Sequence, residues 1–432
     1  MAHRIRGRAE LGGTGPCRAV ITVQEHLSRI LDCVQRLPPI GLDLLDARGC
    51  VLAEAVTSEV PLPGFRNSAM DGYAVHAADL AAASQTAPVT LPVVRDIVAG
   101  NTETLSLAPG QSMRIMTGAP MPEGADAVVP VEGTDGGLLM VAVLASVSVG
   151  QYVRQAGEDV VAGDVVMDDG TRLEPRQIAL LAAAGTEVVR VTPKPRVVVI
   201  STGDELIEPG TRPGFGQVVD SNGLMLTSAV RALDCIPFRV GCVPDDVQTF
   251  RATIESQLRR ADAVITTGGV SMGAYDTVKE VLSSVGTMRF DKVAVQPGIP
   301  QGFGVLGEDE IPVFTLPGNP VSAMVSFEVF VAPALRLMAG RPQHEISMVT
   351  AVAAHDWAVP FGKVQFARVV LSQMSSRDGF GHTAAIAGLQ GSHALGSLAG
   401  ANAPAVIPAD VTSVRAGDQV LCHPLGPILV AS

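Results

Sequence analysis

The sequence predicts a multidomain protein in which a doubly wound α/β domain is combined with regions of β structure. A chain of 432 residues is too long for one hydrophobic core and suggests roughly three domains. Residues 193–341 alternate apolar, β-branched runs with helical patterns, as a doubly wound sheet requires. Residues 61–150 and 342–432 contain short β-like runs separated by glycine and proline. We therefore expect an α/β domain, a small β domain before it, and a C-terminal β barrel or sandwich after it.

The N-terminal third combines helical and β patterns. Thr22 and Glu25 form a capping box that opens a helix ending before Pro38. A second helix is predicted from Pro175 to Gly185, with proline at its first position and glycine just past its end. We hypothesise that the two helices pack together in a split linker domain, so that the β domain is an insertion. The predicted boundaries are a flexible extension at 1–20, linker segments at 21–60 and 151–192, and the inserted domain at 61–150.

Composition and missing motifs exclude several classes of protein. The net charge of −12 and the aromatic content of 4% leave neither a basic surface nor a stacking platform for nucleic acid. No apolar run approaches the roughly 18 residues of a membrane span. Six cysteines without a C-x-x-C pair favour a reducing cytoplasm over a disulfide framework or a zinc site. The sequence also lacks the nucleotide phosphate loop, the dinucleotide fingerprint, the zinc-protease motif and the serine nucleophile elbow.

Polar loops rich in glycine follow three of the predicted buried strands. The strands are 196–201, 261–267 and 311–316, and the loops are 202–205, 268–273 and 316–322; a fourth loop, 296–300, also contains proline and glycine. In open α/β sheets, ligands bind beyond the carboxyl ends of the strands. Backbone N–H groups and helix N-termini bind anions there, so an acidic chain can still bind an anion locally. The sequence therefore predicts an anion site at this edge of the sheet.

The loop 268–273 has a composition suited to phosphate. Its glycines, Gly268, Gly269 and Gly273, allow close approach of the backbone, and Ser271 adds a hydroxyl donor. A single loop of this kind is often purely structural, so the prediction depends on the neighbouring loops.

Carboxylates near the strand ends suggest a bound magnesium ion. Glu205, Asp276 and Asp245 are the candidates, with Asp204 and Asp246 beside them. Mg²⁺ is typically held by one or two carboxylates together with substrate phosphate and water. Each carboxylate alone is equally explained as a solvated loop charge, and Asp276 also as the N-cap of the helix that follows it.

Several motifs, in matching order and spacing, resemble those of one known family. They are NSAMDGYA at 67–74, RIMTGAP at 114–120 with PEGADAV at 122–128, GED at 157–159, STGDEL at 201–206, GGVS at 268–271 and LPGNPVS at 316–322. With them the chain resembles the MoeA-type molybdopterin molybdenumtransferases, whose eukaryotic relative is the E domain of gephyrin. The resemblance runs from about Ile21 to the C-terminus.

The resemblance implies an architecture and a reaction. The expected protein is an elongated homodimer with a split helical linker domain, an inserted β domain, a molybdopterin-binding α/β domain and a C-terminal β barrel. The implied reaction joins molybdate to adenylylated molybdopterin and releases the molybdenum cofactor and AMP, with Mg²⁺ or a similar divalent cation. The upstream adenylyltransferase and the recipient molybdoenzymes would then be its protein partners.

The resemblance also assigns roles to single residues. Glu205 and Asp276 match acidic positions that hold metal or position water, and Asp71, Thr117 and Asp159 match motifs placed in the cleft, across the dimer interface. The residues expected to bind the pterin phosphate are Gly268, Gly269, Ser271, Gly273, Pro317, Gly318, Asn319, Pro320 and Ser322. Arg368, Ser392 and the neighbouring His393 resemble parts of barrel-domain motifs linked with molybdate, although a structural role explains them at least equally well.

One position departs from the family pattern. The family loop usually reads P-G-K-P, whereas this chain has Ile299 at the lysine position. The change removes a cation that would lie where molybdate and phosphate meet. Three interpretations are open: Lys292 or Arg368 compensates, the enzyme is a slower paralogue, or the chain is a molybdopterin carrier or scaffold. A molybdopterin adenylyltransferase is a further alternative, disfavoured by the additional domains.

Overall fold

A computed structural model gives the fold of residues 20–269, 277–341, 348–376 and 379–430. The chain divides into two compact units. The first comprises Met1–Pro39 with Thr192–Ser432, and the second is Ile40–Val191. Each unit has its own buried cores, so we describe each by itself.

A six-stranded sheet forms the centre of the first unit. Its strands, in order across the sheet, are Ile236–Val243, Arg196–Thr202, Ala263–Thr267, Ile311–Leu316, Pro300–Leu306 and Gly286–Lys292. The first four are parallel, and the last two are antiparallel to their neighbours. Val197 and Val199 face one core, and Val198 and Ile200 face the other, because successive side chains of a strand point to opposite faces. The prediction of a doubly wound sheet is confirmed.

Helices cover both faces of this sheet. Val23–Cys33, Asn222–Ala232 and the helical segment Pro320–Met338 contribute to one core, and Val247–Leu258 and Thr277–Val285 contribute to the other. Within the long segment, Pro320–Ser326 and Ala332–Met338 are α-helical and Phe327–Val331 is a π-helix. This segment alone among the described residues has the length and hydropathy of a membrane span, but 67% of it is buried in the protein, as in an ordinary core helix.

The first helix begins at the predicted capping box. Thr22 Oγ1 accepts a hydrogen bond from the backbone N–H of Glu25 (3.1 Å), and the Glu25 carboxylate accepts one from the N–H of Thr22 (2.7 Å). The buried His26 ring packs edge-on against Phe330, with 4.8 Å between ring centroids, and burial lowers the pKa of His26 to about 4. The helix thus packs on the segment Pro320–Met338, whereas the second predicted helix, observed at Pro175–Ala183, belongs to the other unit. Packing between these two helices and the predicted domain boundaries stay predictions.

A closed barrel follows in the C-terminal part of the first unit. Its strands, in order around the barrel, are Val364–Ser376, Gly379–Ile386, Val349–Ala353, Gln419–Cys422 and Ala403–Ile407, and the last pairs with the first. Shorter elements are the strands Leu206–Ile207, Val218–Val219, Val295–Gln296, Trp357–Ala358, Ser413–Val414 and Leu429–Val430 and the helix Leu395–Ala399. Of the barrel and sandwich alternatives, the barrel is correct.

The second unit contains the small β domain. Its five-stranded sheet has the order Ala127–Pro130, Gly72–Val75, Ser112–Ile115, Val89–Ile97 and Met140–Val143. Short 3₁₀ helices lie at Ala77–Leu80 and Val131–Gly133. The remaining strands are Ile40–Asp43, Val188–Thr192 and Val51–Leu52 in one sheet, Val56–Thr57 with Val165–Met167, and Asn67–Ser68 with Val153–Arg154. A β domain of short strands was predicted here.

Candidate functional site

Two glycine loops meet at the carboxyl end of the α/β sheet. Gly268 directly follows the strand Ala263–Thr267, and Gly318 follows Ile311–Leu316. A Cβ atom at Gly318 would lie 3.7 Å from the Cα atom of Gly268, so the loops are in van der Waals contact. Gly268 has a φ of +98°, and a Cβ atom there would lie 2.4 Å from the carbonyl oxygen of Thr202. Only glycine is compatible with this position.

The two loops border a cleft of about 540 Å³. The predicted site residues that line it are Glu205, Gly268, Gly318, Asn319 and Pro320. The other lining residues include Thr202, Asp220, Asn222 and Thr267 from the α/β domain and His393 and Leu395 from the C-terminal part of the same unit. Exposed loop backbone and a few side-chain polar groups can orient a phosphate-bearing ligand in such a cleft.

A side-chain amide ties the two loops together. Asn222 Nδ2 donates one hydrogen bond to Thr267 Oγ1 (2.9 Å) and another to the carbonyl oxygen of Gly318 (2.7 Å). Thr267 Oγ1 in turn donates to the carbonyl oxygen of Pro317 (3.2 Å). Asn222 is the first residue of its helix and is only 9% exposed. The ends of two strands and the start of one helix are therefore held in a fixed arrangement.

A buried carboxylate fixes the start of the same helix. Asp220 is 1% exposed and accepts hydrogen bonds from Ser201 Oγ (2.9 Å), the N–H of Gly223 (2.8 Å) and the guanidinium of Arg239 (2.8 Å). Arg239 also donates to Glu208 (2.8 Å). Because Asp220 is engaged by these internal donors, we assign it to positioning the helix.

The predicted acidic residues are used in different ways. Glu205 is exposed and lines the cleft. Asp204 Oδ1 accepts a hydrogen bond from the N–H of Asp245 (3.0 Å), so its carboxylate shapes the loop. Asp246 caps the helix Val247–Leu258, and its hydrogen bonds with Thr249 lower the pKa of Asp246.

The carboxylates give a partial fit to a magnesium site. Asp245 is not among the residues that line the cleft, and Asp276 lies outside the described residues. Within the described ranges, no group of three or more His, Cys, Asp or Glu side chains could hold a metal ion. One carboxylate, that of Glu205, is therefore available in the cleft to a cation whose other ligands are phosphate oxygens and water.

The remaining predicted phosphate-binding residues lie in or near the two loops. Gly269 has a φ of +65°, and Ser271 and Gly273 fall outside the described residues. Asn319 is the exposed N-cap of the segment that begins with Pro320, whereas Pro317 is buried. Ser322 is only 4% exposed and is absent from the cleft lining. The structure therefore does not bring the Ser322 side chain to the cleft.

The barrel side of the cleft is organised by Arg368. Its buried guanidinium donates hydrogen bonds to the carbonyl oxygens of Leu389 and Gly391 and to Ser397 Oγ, and burial lowers the pKa of Arg368. Arg368 lines a separate, mainly apolar groove rather than the cleft. It was predicted as a ligand-binding residue, but its described contacts are those of a residue that holds a loop.

The loop that Arg368 holds reaches the cleft. The carbonyl oxygen of Ser392 accepts a hydrogen bond from the N–H of Val321 (3.1 Å), next to the second glycine loop. The following residue, His393, lines the cleft, and a Cβ atom at Gly391 would lie 2.9 Å from its ring. The loop thus connects the barrel to the phosphate-binding edge of the α/β sheet.

In the second unit, the structure brings two of the three predicted residues together. Asp71 Oδ1 accepts hydrogen bonds from the N–H (2.6 Å) and the hydroxyl (2.9 Å) of Thr117. These bonds lower the pKa of Asp71. The carboxylate of Asp159 is exposed, and its backbone N–H donates to the carbonyl oxygen of Leu62 (3.0 Å).

Comparison with known proteins identifies the family. The MoeA N-terminal region (domains I and II) matches residues 21–185, the probable molybdopterin binding domain matches 198–337, and the MoeA C-terminal region (domain IV) matches 350–425. The chain belongs to the MoeA family. It is therefore a transferase of molybdenum cofactor biosynthesis.

Similar proteins cover nearly the whole of this MoeA chain. Molybdopterin molybdenumtransferase 2 of Mycobacterium tuberculosis is 43% identical over 405 residues, covering 92% of this chain and 98% of the relative. Molybdopterin molybdenumtransferase 1 of the same organism is 40% identical over 417 residues, covering 92% and 97%. A crystal structure of the molybdopterin biosynthesis MoeA protein from Pyrococcus horikosii has a TM-score of 0.76 at 30% identity, covering 95% of this chain and 100% of that chain.

Sequence reasoning missed Asn222 and Thr267 as parts of the cleft, whereas His393 lies in the motif 391–393 that the resemblance links with molybdate. Thr267 carried a signal, since it is a polar residue that ends an apolar strand directly before a glycine loop. Asn222 lies in an Asp-Ser-Asn-Gly run that reads equally well as an ordinary helix start. Only the fold shows that its partners are 45 and 96 residues away in sequence.

Proposed function

We propose that this chain joins molybdate to adenylylated molybdopterin in the described cleft and releases the molybdenum cofactor and AMP. The observation that carries the proposal is the contact between the two glycine loops beside a cleft that Glu205 also lines. Loop N–H groups and a helix N-terminus can bind phosphate oxygens without a cluster of cationic side chains. That property suits a chain with a net charge of −12.

We assign different residues to substrate binding and to the reaction. We assign the pterin phosphate and the adenylyl phosphate to the two glycine loops. One loop contains Gly268, Gly269, Ser271 and Gly273, and the other contains Gly318, Asn319 and Pro320. Glu205 lies beside them and can orient a water molecule that cleaves the bond between the two phosphates, with AMP as the leaving group. Asp276 is its proposed acidic partner.

Mg²⁺ is the divalent cation that we propose for this reaction. Glu205 would contribute one ligand, and Asp276 and Asp245 are the further candidates. The ion would neutralise charge on the phosphates during transfer.

The other sequence-predicted roles extend the site beyond the described cleft. Asp71, Thr117 and Asp159 are proposed to complete it from the second unit of a partner subunit, which makes the working enzyme a homodimer. Ser392 is proposed to contact molybdate, and Arg368 to hold the loop that presents it. We place the protein in the cytoplasm, between an upstream adenylyltransferase and the recipient molybdoenzymes.

Release of AMP tests the proposal directly. The purified protein is incubated with adenylylated molybdopterin, molybdate and Mg²⁺, and AMP is quantified by chromatography. We expect Glu205→Gln to lower the rate of AMP release by about 100-fold, because the variant keeps the shape of the side chain and loses the carboxylate. Removal of Mg²⁺ by a chelator should abolish AMP release, and added Mg²⁺ should restore it.

The control is another exposed carboxylate in the same domain. Glu255 lies on the helix Val247–Leu258 and is not among the cleft residues, so Glu255→Gln should release AMP at the wild-type rate. A wild-type protein that binds molybdopterin but never releases AMP would show a carrier instead of a transferase. Equal rates for Glu205→Gln and wild type would remove Glu205 from the mechanism.

A further inference from the structure

The mainly apolar groove that Arg368 lines contains one carboxylate. The groove belongs to the first unit, has a volume of about 220 Å³ and shares no lining residue with the cleft. Its walls come from the first helix, the segment Pro320–Met338 and the C-terminal part of the unit, and most of them are apolar, for example Leu27, Met324, Val329, Phe366, Leu398 and Leu425. Glu328 is the one acidic residue in the described lining. Carboxylates are rarely placed in apolar surroundings without a partner.

The carboxylate of Glu328 is open to the groove. Its side chain is 17% exposed, and it makes no hydrogen bond with a described residue. Neither of its oxygens is among the fully buried atoms that lack a partner, so both oxygens have accessible surface. His423 Nε2 lies 3.9 Å from Glu328 Oε2, which is too far for a hydrogen bond. A ligand in the groove can therefore reach this carboxylate.

The surrounding side chains do not supply a paired cation. Burial raises the pKa of Glu328; Arg336 opposes this effect, but no ion pair joins the two side chains among the described residues. Burial and Arg336 lower the pKa of His423, so the imidazole is neutral at neutral pH. Arg368 donates its hydrogen bonds to the loop that it holds. An ionised Glu328 is thus an uncompensated charge in an apolar site.

The backbone at Glu328 is also unusual. Glu328 lies on the π-helix Phe327–Val331, between two α-helical stretches of the same segment. π-Helical turns are rare and frequently occur at functional sites. The irregular turn therefore coincides with the open carboxylate in the groove.

We propose that the groove binds a small organic ammonium ion, whose N–H groups donate to the Glu328 carboxylate and whose apolar part packs against the groove walls. The ligand supplies the charge that the protein leaves out, in charge-assisted hydrogen bonds. A metal ion does not suit this groove, because Mg²⁺ and Ca²⁺ require several oxygen ligands and Glu328 is the one carboxylate in the described lining. A neutral or anionic ligand of the same shape would leave Glu328 unpaired. The proposed site is separate from the transferase cleft.

Three probes with the same ring and different charges test the proposal. Benzylammonium, benzyl alcohol and benzoate are titrated into wild type and Glu328→Gln by ligand-observed NMR. We expect wild type to bind benzylammonium at least about tenfold more tightly than either of the other probes. Glu328→Gln should remove this preference and leave the affinity for benzyl alcohol unchanged, which also shows that the groove of the variant is folded.

Two further variants serve as controls. Glu255→Gln changes an exposed carboxylate on the helix Val247–Leu258, outside the groove, and should bind all three probes as wild type does. Met324→Trp enlarges a half-buried side chain in the groove wall and should abolish binding of benzylammonium and of benzyl alcohol. Thermal unfolding of Met324→Trp shows whether the variant is folded, and a folded variant that retains both probes would place their site elsewhere and overturn the proposal.

Other results would also overturn it. Wild type may not bind benzylammonium and benzyl alcohol equally, and Glu328→Gln may not retain the affinity for benzylammonium, if the carboxylate holds the ammonium group. Tighter binding of Nα-acetyl-lysine methylamide than of benzylammonium would assign the groove to a lysine of a partner protein. Tighter binding of benzylammonium after replacement of Arg4, Arg6 and Arg8 by glutamine in the full chain would show that a basic segment of the chain itself competes for Glu328. AMP release plays no part in these measurements, so they stand or fall independently of the transferase function.

Discussion

Two proline–glycine loops lie next to the helix Pro320–Ser326, and they serve different purposes. In the loop 316–322, Gly318 is exposed and lines the cleft. In the loop 296–300, Gly298 is buried, with a φ of +107°. The Gln301 side chain donates to the Gly298 carbonyl oxygen (2.6 Å) and to Ser326 Oγ (2.6 Å). The first loop presents its backbone to the cleft, whereas internal contacts engage the second.

The hydrogen bonds that shape the loop 296–300 do not depend on the side chain at position 299. The hydrogen bonds that fix the loop 296–300 involve Gly298, Gln301 and Ser326, and the carbonyl oxygen of Ile299 accepts from the N–H of Val293 (2.8 Å). None of these contacts uses the side chain at position 299. These hydrogen bonds are therefore compatible with either lysine or isoleucine at position 299, and isoleucine removes the charge.

The largest expected effect comes from changing the backbone of the cleft. Gly268→Ala should lower the rate of AMP release at least 100-fold, because its Cβ atom would lie 2.4 Å from the Thr202 carbonyl oxygen and the loop must shift. Displacement of reacting groups by about 1 Å is enough for a loss of this size. The measurement is kcat/KM for AMP release.

The matched control separates backbone strain from the clash. Gly210 also has a positive φ, +94°, but a Cβ atom there meets nothing within 4 Å. Gly210→Ala should therefore lower the free energy of unfolding by about 1 kcal/mol and leave the rate of AMP release nearly unchanged. If both variants lose activity equally, the close approach of the loops at Gly268 is not what the reaction requires.

These loops were predictable from the sequence because the signals are local. Strands such as 261–267 are β-branched and apolar, and each leads directly into a glycine-rich loop. The hydrogen bonds of Asn222 to the two loops were not predictable, since its partners are 45 and 96 residues away in sequence. The strand Gly379–Ile386 was missed for a related reason: it contains two glycines and a histidine, and its pairing with Val364–Ser376 compensates for weak intrinsic preference.

Substitution of Arg368 should have an intermediate effect on the kinetics. It tests whether Arg368 positions a loop or binds the ligand directly. Arg368→Met keeps the apolar stem but removes the donors to Leu389, Gly391 and Ser397. We expect the freed loop to raise KM about tenfold and to change kcat less than threefold, because the loop carries Ser392 and His393, which we assign to substrate binding, whereas Glu205, which orients the attacking water, lies on another loop. The same truncation at the exposed Arg415 on the barrel, Arg415→Met, controls for the loss of one charge. A fall in kcat with KM unchanged would instead indicate direct contact of Arg368 with the reacting group.

The smallest effect is expected at Ile299, the position at which the loop 296–300 lacks the charge of the family pattern. Ile299→Lys restores a cation on a half-buried position from which a long side chain can extend its ammonium to water. We expect kcat/KM to rise by no more than about fivefold at low salt, and the gain to disappear near 1 M salt, where the screening length falls to about 3 Å. Ile299→Met, a long apolar side chain without charge, should match wild type at both salt concentrations. Activation of an otherwise inactive protein by Ile299→Lys would mean that the charge, and not the loop geometry shared by the two regions, limits catalysis in this chain.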